Sequence, residues 1–183
     1  MKLHRPLASC LCLLLAACAG RAPRAAVDEA MPHLHLAPAS LGHELAQQQL
    51  LVFRYGSEQR TLDALLEVDA HEVRLDLQAL GRSALRLAWD GQRLEQKRAD
   101  WLPPSVRGEE VLDELQLAQW PGAAIRAALP AGWSLDEDGG VRRLRHGDVV
   151  VATVRYPAHD RIELEFARFS LSIRSAAVGD EAP

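Results

Sequence analysis

With 183 residues, 48% of them hydrophobic and 25% charged, the chain has the size and balance of one ordinary soluble domain. Aromatics at 5%, beside 12 glycines and 10 prolines, fit neither a collagen nor a disordered low-complexity chain. A formal charge of -4 and a pI near 6.0 lack the basic excess of nucleic-acid binders, so no nucleic-acid partner is expected.

The chain opens on a secretory signal. Lys2 and Arg5 precede an apolar stretch over residues 7–17 in which Ser9, Cys10 and Cys12 interrupt leucine and alanine. About eleven residues is half the length of a permanent membrane helix, so residues 1–17 read as a signal peptide. The stretch ends Leu15-Ala16-Ala17-Cys18, which resembles the bacterial lipobox. An ordinary signal peptide with a chance cysteine is the plainer alternative, but charge, apolar run and small residues all fall in register. Cys18 is therefore the expected site of lipid attachment. Cys10 and Cys12 leave with the signal, so neither an intrachain disulfide nor a cysteine-based zinc site is expected. Losing Lys2 and Arg5 makes the balance two charges more acidic. The lipobox resemblance implies an anchor effectively permanent at about 0.8 kcal/mol per buried methylene. Ala19, where aspartate would favour inner-membrane retention, points to the periplasmic face of a Gram-negative outer membrane.

Residues 18–39 read as the lipidated cysteine and a flexible tether, with Pro23, Pro32 and Pro38 and no sustained apolar period. His33 and His35 make a His-x-His pair, expected to be solvated linker residues and not metal ligands. A single domain over residues 40–176 follows, then a short tail over residues 177–183.

From Leu41 the period is two. Residues 50–55, 62–68, 73–77 and 85–89 read as strands, with turns at Gly56-Ser57, Asp69-Ala70, Leu80-Gly81 and Asp90-Gly91. After Pro103-Pro104, residues 109–120 place Val111, Leu112, Leu115 and Ala118 at helical spacing, with Glu109 and Glu110 in the first turn. Pro121 opens a second short helix, closed by Pro130 and Gly132. Strands resume at Trp133 and continue over residues 141–145, 149–156, 162–166 and 169–174. The fold class is mainly β with a helical insertion: about eight to ten antiparallel strands in a curved sheet or incomplete barrel, capped by two short helices. An interior enclosed that way either packs solidly or leaves a lipid-sized cavity.

Several segments together carry a family resemblance. They are the lipobox, Leu87-Ala88-Trp89-Asp90-Gly91, Asp113-Glu114-Leu115-Gln116-Leu117-Ala118-Gln119-Trp120-Pro121, Leu129-Pro130-Ala131-Gly132-Trp133 and Val154-Arg155-Tyr156. The chain resembles an uncharacterised bacterial outer-membrane lipoprotein family, a domain of unknown function associated with aryl polyene gene clusters. The resemblance implies a fold similar to the lipoprotein-localisation carriers and receptors, open barrels with helical lids over an apolar cavity. It implies handling of a lipid-like or polyene-lipid molecule, with envelope transport or biosynthesis proteins as partners, and it supplies no catalytic residues.

Catalytic patterns are missing from the sequence. There is no Gly-x-Ser-x-Gly elbow, no phosphate-cradling Gly-rich loop with a lysine and no His-Glu-x-x-His. The acidic run Asp136-Glu137-Asp138 before Gly139-Gly140 reads as a solvated hairpin turn, with a calcium or partner contact as the sharper alternative. Glu163 and Glu165 read as the wet face of an alternating strand. No enzyme, cofactor or metal site is expected. The expected cavity is lined by Leu112, Leu115, Trp120 and Ile125 on the helices, with Phe53, Leu66, Leu75, Leu87 and Phe166 opposite. Trp89 and Trp133 add broad indole surface, although core packing is the commoner fate of tryptophan. Two functions follow: a lipid-anchored carrier of a hydrophobic ligand, or a non-catalytic accessory subunit docking other envelope proteins.

Overall fold

Alternating apolar and polar residues need a partner strand on each side and cover on one face, and the chain meets both needs with a single sheet. The computed structural model describes residues 29–178; the expected signal peptide, Cys18 and the end of the expected tail lie outside the described residues. The first half contributes β1 (Leu45–Tyr55), β2 (Glu58–Val68), β3 (Val73–Ala79), β4 (Arg82–Trp89) and β5 (Leu94–Arg98). Two helices follow, α1 (Gly108–Gln119) and α2 (Gly122–Ala128). The second half contributes β6 (Trp133–Asp138), β7 (Val141–His146), β8 (Val149–Ala158), β9 (Arg161–Phe166) and β10 (Phe169–Ala177). All ten pair antiparallel in the order β5-β4-β3-β2-β1-β10-β9-β8-β7-β6, so the sheet stays open between β5 and β6.

Register puts the apolar set on one face. Leu66 lies opposite Leu75, Leu75 opposite Leu87, Leu51 opposite Ile173, and Val154 opposite Leu164. Register shifts at Leu77/Gln78, Leu144/Arg145 and Arg155/Ala158 bend the sheet locally, and because α1 touches β5 while α2 touches β6, the sheet curls round the helices with that face concave. The helices fill the seam between the free edges. The Gly108 N–H donates to Gln96 Oε1 of β5, and a Cβ at Gly108 would stand 2.4 Å from that oxygen. A Cβ at Gly122 would stand 1.9 Å from the Glu137 carboxylate of β6. Glycine lets both side chains lie directly against the helix backbone, and a larger residue would push them aside.

Antiparallel pairing sorts the connections into two ends. The β1–β2, β3–β4, β7–β8 and β9–β10 turns share one end with the loops before α1 and after α2. The β2–β3, β4–β5, β6–β7 and β8–β9 turns share the other. The helices start and stop within about one residue of where their spacing places them. The sequence reading passed over β5, because Leu94-Glu95-Gln96-Lys97-Arg98 carries one apolar residue; its charges protect a free edge.

Candidate functional site

The tether expectation needs correction for its described part. Residues 31–37 form an irregular strap, with His35 at φ +45°, seated against α1 and β4, with Leu34 and Leu36 buried. Asp113 Oδ1 accepts the Leu34 N–H at 2.8 Å, and Gln116 Oε1 accepts the Leu36 N–H at 3.0 Å. Gln116 Nε2 and Trp89 Nε1 both donate to the Leu36 carbonyl. Trp120 Nε1 donates to the Ala37 carbonyl and to Ser40 Oγ. The strap is thus held through its main-chain groups, which a buried segment outside helix and sheet needs. His33 is paired to Asp113 at 2.7 Å, and His35 stacks between His33 and Trp89. Burial pushes the Asp113 carboxyl up, while the Leu34 N–H and His33 pull it back.

On the other flank, Arg142 of β7 is buried and donates to the Leu117 and Trp120 carbonyls at the C-terminal end of α1. A cation there satisfies orphan carbonyls and the negative end of the helix dipole. Glu137 bridges Arg142 and Arg126; burial works against its charge, but the two arginines outweigh this and hold its carboxyl below the usual range. Tyr156 completes the clamp by donating to the Ala118 carbonyl at 2.8 Å.

Between these clamps the expected cavity residues pack solidly. Leu66, Leu112, Trp120 and Ile125 are 0% exposed, so no void of water size touches them. Leu75, Leu87, Trp89 and Leu115 belong to the same core. This differs from a lipid-sized space under the helices: strap, helices and sheet together fill it. Two open hollows lie at the surface, and of the expected cavity residues Leu75 and Leu87 border the first. One, of ≈ 430 Å³, runs along β2–β5 beside Glu67, Arg74, Asp76, Arg86 and Lys97, and the other, of ≈ 320 Å³, lies at Glu137–Arg142 and Tyr156.

Part of the concave face is uncovered near the β1–β2 turn. Register puts Phe53, Phe169, Leu171 and Phe166 on the same face as Leu51 and Ile173, toward the β1–β2 turn, and all four stay partly exposed. Phe169 stacks on Phe53 at 5.0 Å and on Phe166 at 4.5 Å, which makes a continuous aromatic surface. Trp133 stands apart, stacked on His146 at 4.7 Å.

Helix α1 carries two further polar groups. Glu114 has no hydrogen bond or ion pair among the described residues. Helical phase puts it on the side of α1 away from Asp113 and Gln116, flanked by Val111 and Ala118. Burial, with Glu110 and Asp113 nearby, pushes its carboxyl up to about 8, so it is mostly protonated at neutral pH. Gln119 Nε2 is buried without a partner. Sequence reasoning passed over Asp113, Glu114, Gln116 and Arg142. A signal existed for three of them, since polar residues interrupt the apolar positions of α1; Arg142 gave none. Among the described residues, no three His, Cys, Asp or Glu side chains come together as metal ligands would.

One protein-family model matches residues 46–176, described as a protein of unknown function (DUF3261). No curated protein matches the chain.

Proposed function

The chain belongs to this family of unknown function, and on that footing we propose that it is a Cys18-anchored outer-membrane lipoprotein that holds a hydrophobic, lipid-like ligand on its concave face. The role is non-catalytic. The observation that supports it is the half-covered aromatic surface of Phe53, Phe166 and Phe169, on the face that carries the buried core. A contiguous apolar surface set in a concave wall suits an acyl or polyene chain, whose binding gains about 25 cal/mol per Å² removed from water. Ligand would lie along this surface, outside the packed core.

The closed core favours a second reading, an accessory subunit that docks envelope proteins and binds nothing. Native mass spectrometry of the purified protein, followed by displacement of a fluorescent fatty acid, separates the two. A copurifying lipid, or saturable displacement, supports the carrier. A bare mass with no displacement sinks it and leaves the docking role.

A further inference from the structure

The β3–β4 connection breaks a turn rule. Leu80 and Gly81 both have positive φ, +52° and +71°, as in a two-residue type I′ turn, whose first position favours Asn, Asp or Gly. A leucine sits there instead, and it is 99% exposed. It is not alone at that end of the sheet. Tyr55, at the β1–β2 turn, is 52% exposed, and Trp101, in the loop before α1, is 45% exposed. The Arg82 guanidinium lies 5.8 Å over the Trp101 ring, and Arg54 and Arg60 flank the Tyr55 turn. Glu58 at the same turn is paired with Arg60.

An independent feature gives this end an orientation. The strap enters the fold at Glu29, which pairs with His146 at the β7–β8 turn, on this same end. It then runs away to Pro38, which lies against Gly91 at the opposite end. Eleven Cα–Cα steps separate Cys18 from Glu29, a length that reaches about 40 Å only when fully stretched. A strand of eleven residues such as β1 is itself about 36 Å long. A relaxed leash of that length spans only about 18 Å, so a lipid on Cys18 holds this end nearer its membrane than the other.

We propose that the end of the sheet bearing Tyr55, Leu80 and Trp101 is a membrane-contact surface, resting on the bilayer that holds the Cys18 lipid. The inference rests on the lipid-anchor part of the proposed function. Three apolar points on separate turns make no groove for a protein segment, whereas a fluid apolar layer needs no matching shape. Tryptophan and tyrosine favour the membrane interface, and arginine reaches headgroup phosphates while its stem stays in apolar surroundings.

The test uses the full lipidated protein in phosphatidylethanolamine–phosphatidylglycerol vesicles containing a phospholipid brominated near the headgroup. Mass spectrometry first reports whether Cys18 carries acyl chains. Tryptophan quenching by the bromolipid is then compared for wild type, Trp101→Phe and Leu80→Asn. Asparagine suits the turn better than leucine, so the fold is kept while the apolar tip is removed. Quenching that falls in Trp101→Phe, to at most the share of the half-buried Trp133 at the same end, and weakens in Leu80→Asn is the expected result. Acylated, vesicle-bound protein whose quenching neither variant changes overturns the contact surface and leaves the anchor standing; a protein partner at this end would give that same result. An unmodified Cys18 overturns the anchor, and the contact surface falls with it.

Discussion

Glu114 is the residue whose environment conflicts most with its chemistry. Its carboxyl is raised from an ordinary 4.5 to about 8, mainly by burial and then by Glu110 and Asp113. The folded state therefore binds its proton more tightly than the unfolded chain does. That contribution to stability is fully present below about pH 4.5 and is lost as pH rises through about 8. Asp113 is raised as well, with burial the main cause, so it bends the profile in the same direction. Glu114→Gln should flatten the decline between these limits without abolishing it, since Asp113 remains. Urea midpoints at a series of pH values read this directly. Parallel profiles for the two proteins would mean that Glu114 is well solvated.

The strap is the element that most changes the picture drawn from sequence. Leu34 is buried in the same core as Leu66 and Leu112. Leu34→Ala should accordingly cost about 2–5 kcal/mol, as buried leucines do. A solvated tether residue would change stability by less than about 0.5 kcal/mol, and a denaturation midpoint that does not move would restore the tether. Most strands were legible because each carries its own period of two, as in Val73, Leu75 and Leu77, and because Asp90-Gly91 and His146-Gly147 mark their turns. The helices were legible from Leu112, Leu115 and Ala118. The strap was not, although His33-Leu34-His35-Leu36 alternates, because two apolar residues between prolines are too short a run. Its bonding partners, Trp89, Asp113 and Gln116, lie 53 to 80 residues away, beyond any local pattern. The same distance hid the filling of the interior. Sequence shows which side chains are apolar, but whether they close on one another depends on the strap lying between helix and sheet.

On the scale of the molecule, closed and open regions divide along the strands. Trp120 and Val73 at the strap-bound end are fully buried, while Phe53, Phe166 and Phe169 near the β1–β2 end are not. The uncovered aromatic surface thus opens toward the end that carries Leu80 and Trp101. A ligand taken from a membrane there would reach the concave face without crossing water. This arrangement separates binding from stability. Phe53 is partly exposed, so Phe53→Asp should leave the fold standing while it places a charge in the aromatic surface and abolishes displacement of a fluorescent fatty acid. Leu87 is buried in the packed core, so Leu87→Ala should lower stability by about 2–5 kcal/mol yet leave probe affinity unchanged in the folded protein. Thermal melts and probe titrations on both variants give four numbers. Loss of probe binding in Leu87→Ala together with its retention in Phe53→Asp would place the ligand under the helices, where the side chains now leave no space for it. The opposite pattern places it on the aromatic surface, at the end of the sheet from which the tether departs.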